Sequence, residues 1–203
     1  MFSRRSLALA AAAAFLAGAA EAAPAALPDD MSLGNPKATV QVIEYASLSC
    51  PHCAHFNETV FAPFKAKWVD TGKVRYTLKE MLTQPEQVAA AGFLMARCAG
   101  PAKYFKVVDE VFRSQPRWES GNIKPVLEEI GKANGVNETQ FATCLQDQAA
   151  LDALSTRARR AFEADGVNST PTLFINGKKI EPLPQSPAEM DAAIAQALKT
   201  GGR

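Results

Sequence analysis

The sequence predicts an α/β fold interrupted by an all-α insertion, and three observations carry that prediction. An apolar, β-branched run at Thr39–Ala46 leads into Cys50-Pro51-His52-Cys53 at the head of a helical pattern. From about residue 86 to 164 the periodicity is helical throughout. The chain then returns to short strands at Thr172–Ile175 and Lys178–Glu181, before a last amphipathic helix at about 187–199.

Taken in order, residues 23–36 read as a lead-in, broken by Pro24, Pro28 and Gly34-Asn35-Pro36. The continuous apolar centre of Thr39–Ala46 marks a buried strand. From Cys50 to about Asp70, Phe56, Val60, Phe64 and Trp68 recur every four residues, the spacing of one helix face; Pro63 is expected to kink this helix. Thr71-Gly72 ends it, and Lys73–Glu80 alternates with Val74, Tyr76 and Leu78 on one side. Breakers at Gly100-Pro101, Gln115-Pro116, Asn134-Gly135 and Gly166 divide the helical block into segments at about 86–98, 102–113, 123–133, 138–147 and 148–164. Asn137 and Gln140 have capping-box spacing, and Asn176-Gly177 is a two-residue hairpin turn. These boundaries give a discontinuous α/β domain, 33–81 with 148–200, into which the helices of 82–147 are inserted.

Residues 1–22 read as a cleavable signal peptide. Arg4 and Arg5 precede an Ala/Leu-rich stretch, and Ala20-Glu21-Ala22 fits a small-x-small cleavage site. Ser3-Arg4-Arg5-Ser6-Leu7 partly matches a twin-arginine signal, so the sequence leaves the export route open. Beyond residue 22, twenty basic and twenty acidic side chains remain. That balance offers no footprint for nucleic acid or an anionic membrane surface. Export, expected to the periplasm, brings the four cysteines to a compartment where disulfides persist.

Three chemistries compete for Cys50 and Cys53. Covalent haem attachment needs His directly after the second Cys, and that residue is Ala54. Structural zinc needs four ligands, but the chain has two His, and Cys98 and Cys144 stand apart from the motif and from each other. A dithiol–disulfide redox centre fits best. Cys50, at the helix N-terminus, is the nucleophile, because unpaired N–H groups there favour its thiolate; Cys53, one turn in, is the resolving thiol. His52 can add a donor or partial positive charge, or act only as an exposed spacer; His55 reads as a surface residue. Glu44 interrupts an apolar strand on the face opposite Ile43 and Tyr45. Desolvation should raise its pKa, so that it could shuttle the Cys53 proton, unless it is salt-bridged or faces solvent. Cys98 and Cys144 are expected to form a structural disulfide worth roughly 4 kcal/mol, the alternative being a second redox relay. The remaining aromatics read as core, and Leu48 as a residue on the rim of a substrate groove.

The Cys50-Pro51-His52-Cys53 motif, Glu44 six residues upstream, the helical insertion and Gly166-Val167-Asn168-Ser169-Thr170-Pro171-Thr172 together resemble the DsbA-like thiol:disulfide oxidoreductases. The resemblance runs from about Leu33 to Leu198. It implies a thioredoxin-like fold carrying an inserted all-α domain, a strongly oxidising Cys50–Cys53 disulfide, and no cofactor or metal beyond that disulfide. It also implies that Pro171 is cis beside the disulfide and that Thr170 offers its backbone to a substrate peptide. Many DsbA oxidases carry Val before the cis-proline, whereas Thr is common in isomerase-like relatives and in some DsbA branches.

The expected function is therefore that of a monomeric periplasmic thiol oxidase acting on unfolded exported proteins, with a quinone-linked membrane partner of the DsbB type as reoxidant. A reductase or isomerase on the same fold is the nearest alternative. A copper(I)-binding module using Cys50 and Cys53 is another.

Overall fold

The computed structural model describes residues 23–118, 121 and 123–201, so the signal peptide expected at 1–22 lies outside the described residues. The chain opens with strands β1 (Met31–Gly34) and β2 (Val40–Ala46). A helical arm follows: α1 (Pro51–Phe56), a π-helical turn (Asn57–Phe61), α2 (Ala62–Phe64) and a second π-helical turn (Lys65–Val69). Pro63 lacks an N–H and its ring crowds the preceding turn; the chain passes it with widened π-helical turns on both sides.

Strand β3 (Val74–Glu80) leads into the helical block α3 (Glu86–Cys98), α4 (Tyr104–Ser114), a single 3-10 turn (Gln115–Trp118), α5 (Ile123–Ala133), α6 (Glu138–Gln146) and α7 (Gln148–Glu163). The capping box forms, with Asn137 and Gln140 each accepting the other's backbone N–H at 2.9 Å. Strands β4 (Thr172–Ile175) and β5 (Lys178–Lys179) and helix α8 (Pro187–Gly201) complete the fold.

The sheet order is β1-β3-β2-β4-β5. Strands β2 and β3 are parallel, and every other pairing is antiparallel. Residues 23–36 are thus more than a lead-in, since Met31–Gly34 closes one edge of the sheet against Leu78–Arg75. At the other edge, β5 is shorter than the expected Lys178–Glu181. After Ile180, Pro182 and Pro184 interrupt the supply of N–H groups that a ladder needs. Asn176 and Gly177 both have positive φ (48° and 76°), as a two-residue hairpin turn requires.

Alternation along β2 divides the core. Val40, Val42 and Ala46 join the main cluster with the helical arm, the insertion and α8; Ile43 and Tyr45 join Phe174, Ala161 and Val167 on the opposite face. The end of β3 does the same with charge. Glu80, 1% exposed, receives Arg97 from α3 at 2.7 Å, the Tyr104 hydroxyl from α4 at 2.8 Å and Arg157 from α7 at 2.7 Å. Lys79, on the other face, meets Asp165 at 3.2 Å and Asp30 at 3.6 Å, and Tyr45 donates to the same Asp165 carboxylate. Glu80 therefore joins three helices to the sheet through one buried carboxylate.

Removing that carboxylate leaves Arg97 and Arg157 facing each other without their shared counter-charge. Glu80→Leu is expected to lower the unfolding free energy by about 3–5 kcal/mol in denaturant titrations. A loss under about 1 kcal/mol would show that the helices are held by apolar packing alone.

Candidate active site

Strand β2 ends at Ala46, and four buried residues, Ser47 to Cys50, carry the chain to the start of α1. Cys50 is the N-cap, with extended backbone (φ −83°, ψ 118°), and Pro51 occupies the first helical position, where no N–H is needed. The Cys53 backbone N–H donates to the Cys50 sulfur at 3.4 Å. Both residues are present as free thiols; Cys50 is 7% exposed and Cys53 fully buried.

The two sulfurs are pushed in opposite directions. Donation from the Cys53 thiol outweighs desolvation and, helped by the Thr170 side chain and the backbone N–H groups of Cys53 and His52, lowers the Cys50 pKa to about 5. Burial drives the Cys53 thiol well above its ordinary range, and the Cys50 and Glu44 charges add to that. At neutral pH this arrangement holds one thiolate and one thiol. The His52 imidazole is exposed to solvent, so its contact with the sulfur runs through its backbone.

Glu44 lies beneath the pair on the face that alternation assigns it, 3% exposed and, among the described residues, without a basic partner in hydrogen-bond range. The Tyr76 hydroxyl donates to its carboxylate at 2.7 Å. Desolvation raises the Glu44 pKa to about 7, against the Tyr76 hydrogen bond and with a further push from Cys50. Tyr76 is a residue the sequence places only as core. Its role depends on the β2–β3 register, which sets Tyr76 opposite Val42, one pleat below Glu44.

Across from Cys50 stands the loop before β4. Antiparallel pairing of β4 with β2 sets Thr172 opposite Tyr45, which brings the cis Thr170-Pro171 bond to the redox turn. The Thr170 carbonyl oxygen is 3.4 Å from the Cys50 sulfur, which donates to it when protonated. Thr170 and Pro171 form one wall of a 230 Å³ pocket, with His52, His55, Phe56 and Leu183 among its other residues. Leu48 is not on any rim: it is fully buried, and its side chain packs into the space left by Gly92 on α3. Its neighbours Ser47 and Ser49 turn inward as well, both bonded to Thr83 beyond β3. Proximity to Cys50 in sequence gives no sign of that inward turn.

Cys98 and Cys144 are joined as a disulfide between α3 and α6, with Cα atoms 6.3 Å apart. Among the described residues, no three His, Cys, Asp or Glu side chains converge as metal ligands, which leaves Cys50 and Cys53 as the thiols able to hold a soft ion. Also among the described residues, no helix is long and apolar enough to cross a membrane.

Comparison with known proteins agrees with this geometry. The family described as Thioredoxin matches residues 26–196. A Rickettsia bellii relative, provisionally named a protein-disulfide oxidoreductase, is 31% identical over 173 residues, covering 84% of this chain and 65% of the relative. A second relative, from Rickettsia typhi and named the same way, is covered over 57% of its length, so the chain spans under two thirds of these proteins. Among solved structures, Wolbachia pipientis alpha-DsbA1 superposes with a TM-score of 0.79 at 26% identity, covering 87% of this chain and 94% of that one. Oxidised BdbD from Bacillus subtilis shares the fold, with a TM-score of 0.74 at 20% identity and coverages of 84% and 93%. A strand-borne Cys-Pro-His-Cys turn facing a cis-proline, a helical insertion and these likenesses lead to one assignment: the chain belongs to the thioredoxin family, among its DsbA-like members.

Proposed function

We propose that the chain is a thiol:disulfide oxidoreductase that works as an oxidase, donating the Cys50–Cys53 disulfide to exported proteins in the periplasm. The observation that carries this reading is the split between the two sulfurs. A Cys50 thiolate favoured above about pH 5 stabilises the reduced form, and a centre whose reduced form is stabilised readily gives up its disulfide.

In the proposed reaction a substrate thiolate attacks the Cys50 sulfur. The Cys50–Cys53 bond breaks, and Cys53 leaves with the electron pair and takes a proton, with Glu44 as the adjacent carrier. A second substrate thiolate then attacks the substrate sulfur of the mixed disulfide and expels Cys50 as thiolate. The substrate loses two electrons and the enzyme gains them; a quinone-linked membrane protein of the DsbB type is the proposed reoxidant. The cis Thr170-Pro171 wall and its pocket would receive the substrate chain beside Cys50. The proposed role of the Cys98–Cys144 disulfide is structural, fastening α3 to α6 within the insertion.

Equilibration with glutathione tests the direction. The expected potential is less negative than about −180 mV, on the oxidising side of the glutathione range; a value near about −270 mV, that of a reductant such as thioredoxin, would contradict the oxidase reading.

Glu44 supplies a second test. Its pKa in the folded, reduced protein is raised from 4.5 to about 7. The stability associated with its protonated form is fully present below pH 4.5 and is lost as pH rises through about 7. Glu44→Gln keeps an acceptor for Tyr76 and removes the buried charge. The reduced variant is expected to gain on the order of 3 kcal/mol over wild type at pH 8 and nothing at pH 4. A difference that does not change with pH would show that Glu44 is not a desolvated acid.

A further inference from the structure

The four residues between β2 and α1 have left the sheet ladder yet remain buried, so each polar group there needs a partner from elsewhere. The loop beyond β3 satisfies several of them: the Met81 N–H donates to the Ala46 oxygen, and Thr83 bonds to Ser47 and Ser49. The Cys50 N–H turns back to the Ser47 oxygen. The Cys50 oxygen accepts the Ala54 N–H of α1 at 3.1 Å, whereas the Leu48 oxygen has no backbone donor among the described residues. Both are met by a single side chain of the insertion: the Gln115 amide nitrogen donates at 2.8 Å to Leu48 and at 3.2 Å to Cys50. Among the described residues, the Leu48 oxygen has no other donor. A primary amide carries two N–H groups, one for each carbonyl. The insertion also holds Leu48 by its side chain, because a Cβ on Gly92 of α3 would lie 2.7 Å from the Leu48 Cδ1.

We propose that Gln115 is a positioning residue, through which the helical insertion holds the redox turn so that the Cys50 sulfur stays against the Cys53 N–H. This rests on the reading of Cys50 as the nucleophile. The N-cap conformation of Cys50 aims its sulfur at that N–H, and the two carbonyls pinned by Gln115 flank Ser49 and so fix the peptide that leads into Cys50. Released from Gln115, the Leu48 carbonyl must find another donor, and the turn rotates to reach one. The titratable groups around Cys50 are Cys53 on α1 and Glu44 on β2, with the His52 imidazole out in solvent. From the insertion, Arg113 lines the groove beside Pro51 but is paired with Asp109 at 2.9 Å, and Gln115 brings neutral donors only.

The test compares wild type, Gln115→Met and Gln115→Arg in the mature chain, reading Cys50 alkylation against pH and equilibrium with glutathione. Met preserves length without a donor, whereas Arg keeps N–H donors within reach. Gln115→Met is expected to raise the Cys50 midpoint and to move the glutathione equilibrium roughly tenfold toward the enzyme disulfide. Gln115→Arg keeps the donors and adds a cation, so its Cys50 midpoint is expected at or below that of wild type. A purely structural role for Gln115 would lower stability and leave both readouts in place, and a folded Gln115→Met that titrates and equilibrates like wild type overturns the proposal. If Gln115→Met does not fold, Gln115→Arg decides, and a Cys50 midpoint raised despite its donors and its charge is equally fatal. A wild-type Cys50 that titrates as an ordinary thiol, near pH 9, sinks the nucleophile reading itself along with this inference.

Discussion

A sulfur anion at the mouth of a buried sheet persists only if donors already fixed in the backbone face it. Here they come from the first turn of α1, whose N–H groups have no carbonyl partners of their own, and from the Cys53 thiol. Everything around the turn serves to keep that geometry. Strand β2 delivers Cys50 from below, β4 brings Thr170 and the cis Pro171 to the opposite side, and the insertion holds the two carbonyls from above. The Cys50 sulfur is thus placed by the sheet, while its electronic state is set by a helix end and a neighbouring thiol.

Burial has the opposite effect on the partners of Cys50. Cys53 and Glu44 are taken out of water with no cation beside them among the described residues, and each is pushed toward its neutral form. Tyr76 moderates this for Glu44: as a fixed donor it favours the carboxylate, and so keeps the acid where it can both take and return a proton near neutrality. The same sheet shows the other solution at the end of β3. Glu80 is as buried as Glu44 but is surrounded by Arg97, Arg157 and Tyr104, and serves as a junction between helices. The partners available to each carboxylate, more than its depth, set the two apart.

Much of this is legible in the local periodicity of the sequence. The apolar run into Cys50, the four-residue spacing of Phe56, Val60, Phe64 and Trp68, and the breakers at Gly100, Gln115 and Asn134 are all short-range signals, and the corresponding helices lie within a few residues of their expected ends. Glu44 stands out because one charge in an apolar strand breaks the pattern. What local patterns miss depends on contacts distant in sequence. Strand β1 is four residues long and gains its identity from β3, 45 residues away at the Ser32–Thr77 pair. Gln115 reads as a helix terminator, yet its hydrogen bonds to Leu48 and Cys50 bridge 67 and 65 residues. Leu48 is expected at a groove because it is close to Cys50 in sequence, whereas the glycine that receives it lies on a separate helix.

The central claim is that reduced Cys50 carries a thiolate across the neutral range while Cys53 keeps its proton. The pH dependence of the redox potential tests it most directly. Where reduction takes up two protons with two electrons, the potential falls by about 60 mV per pH unit; where Cys50 remains a thiolate, one proton is taken up and the slope halves to about 30 mV. A thiolate at Cys50 predicts a break near pH 5, with the shallower slope through neutrality. A slope of about 60 mV continuing to pH 8 would mean that both sulfurs are thiols in the reduced protein, and would contradict that claim.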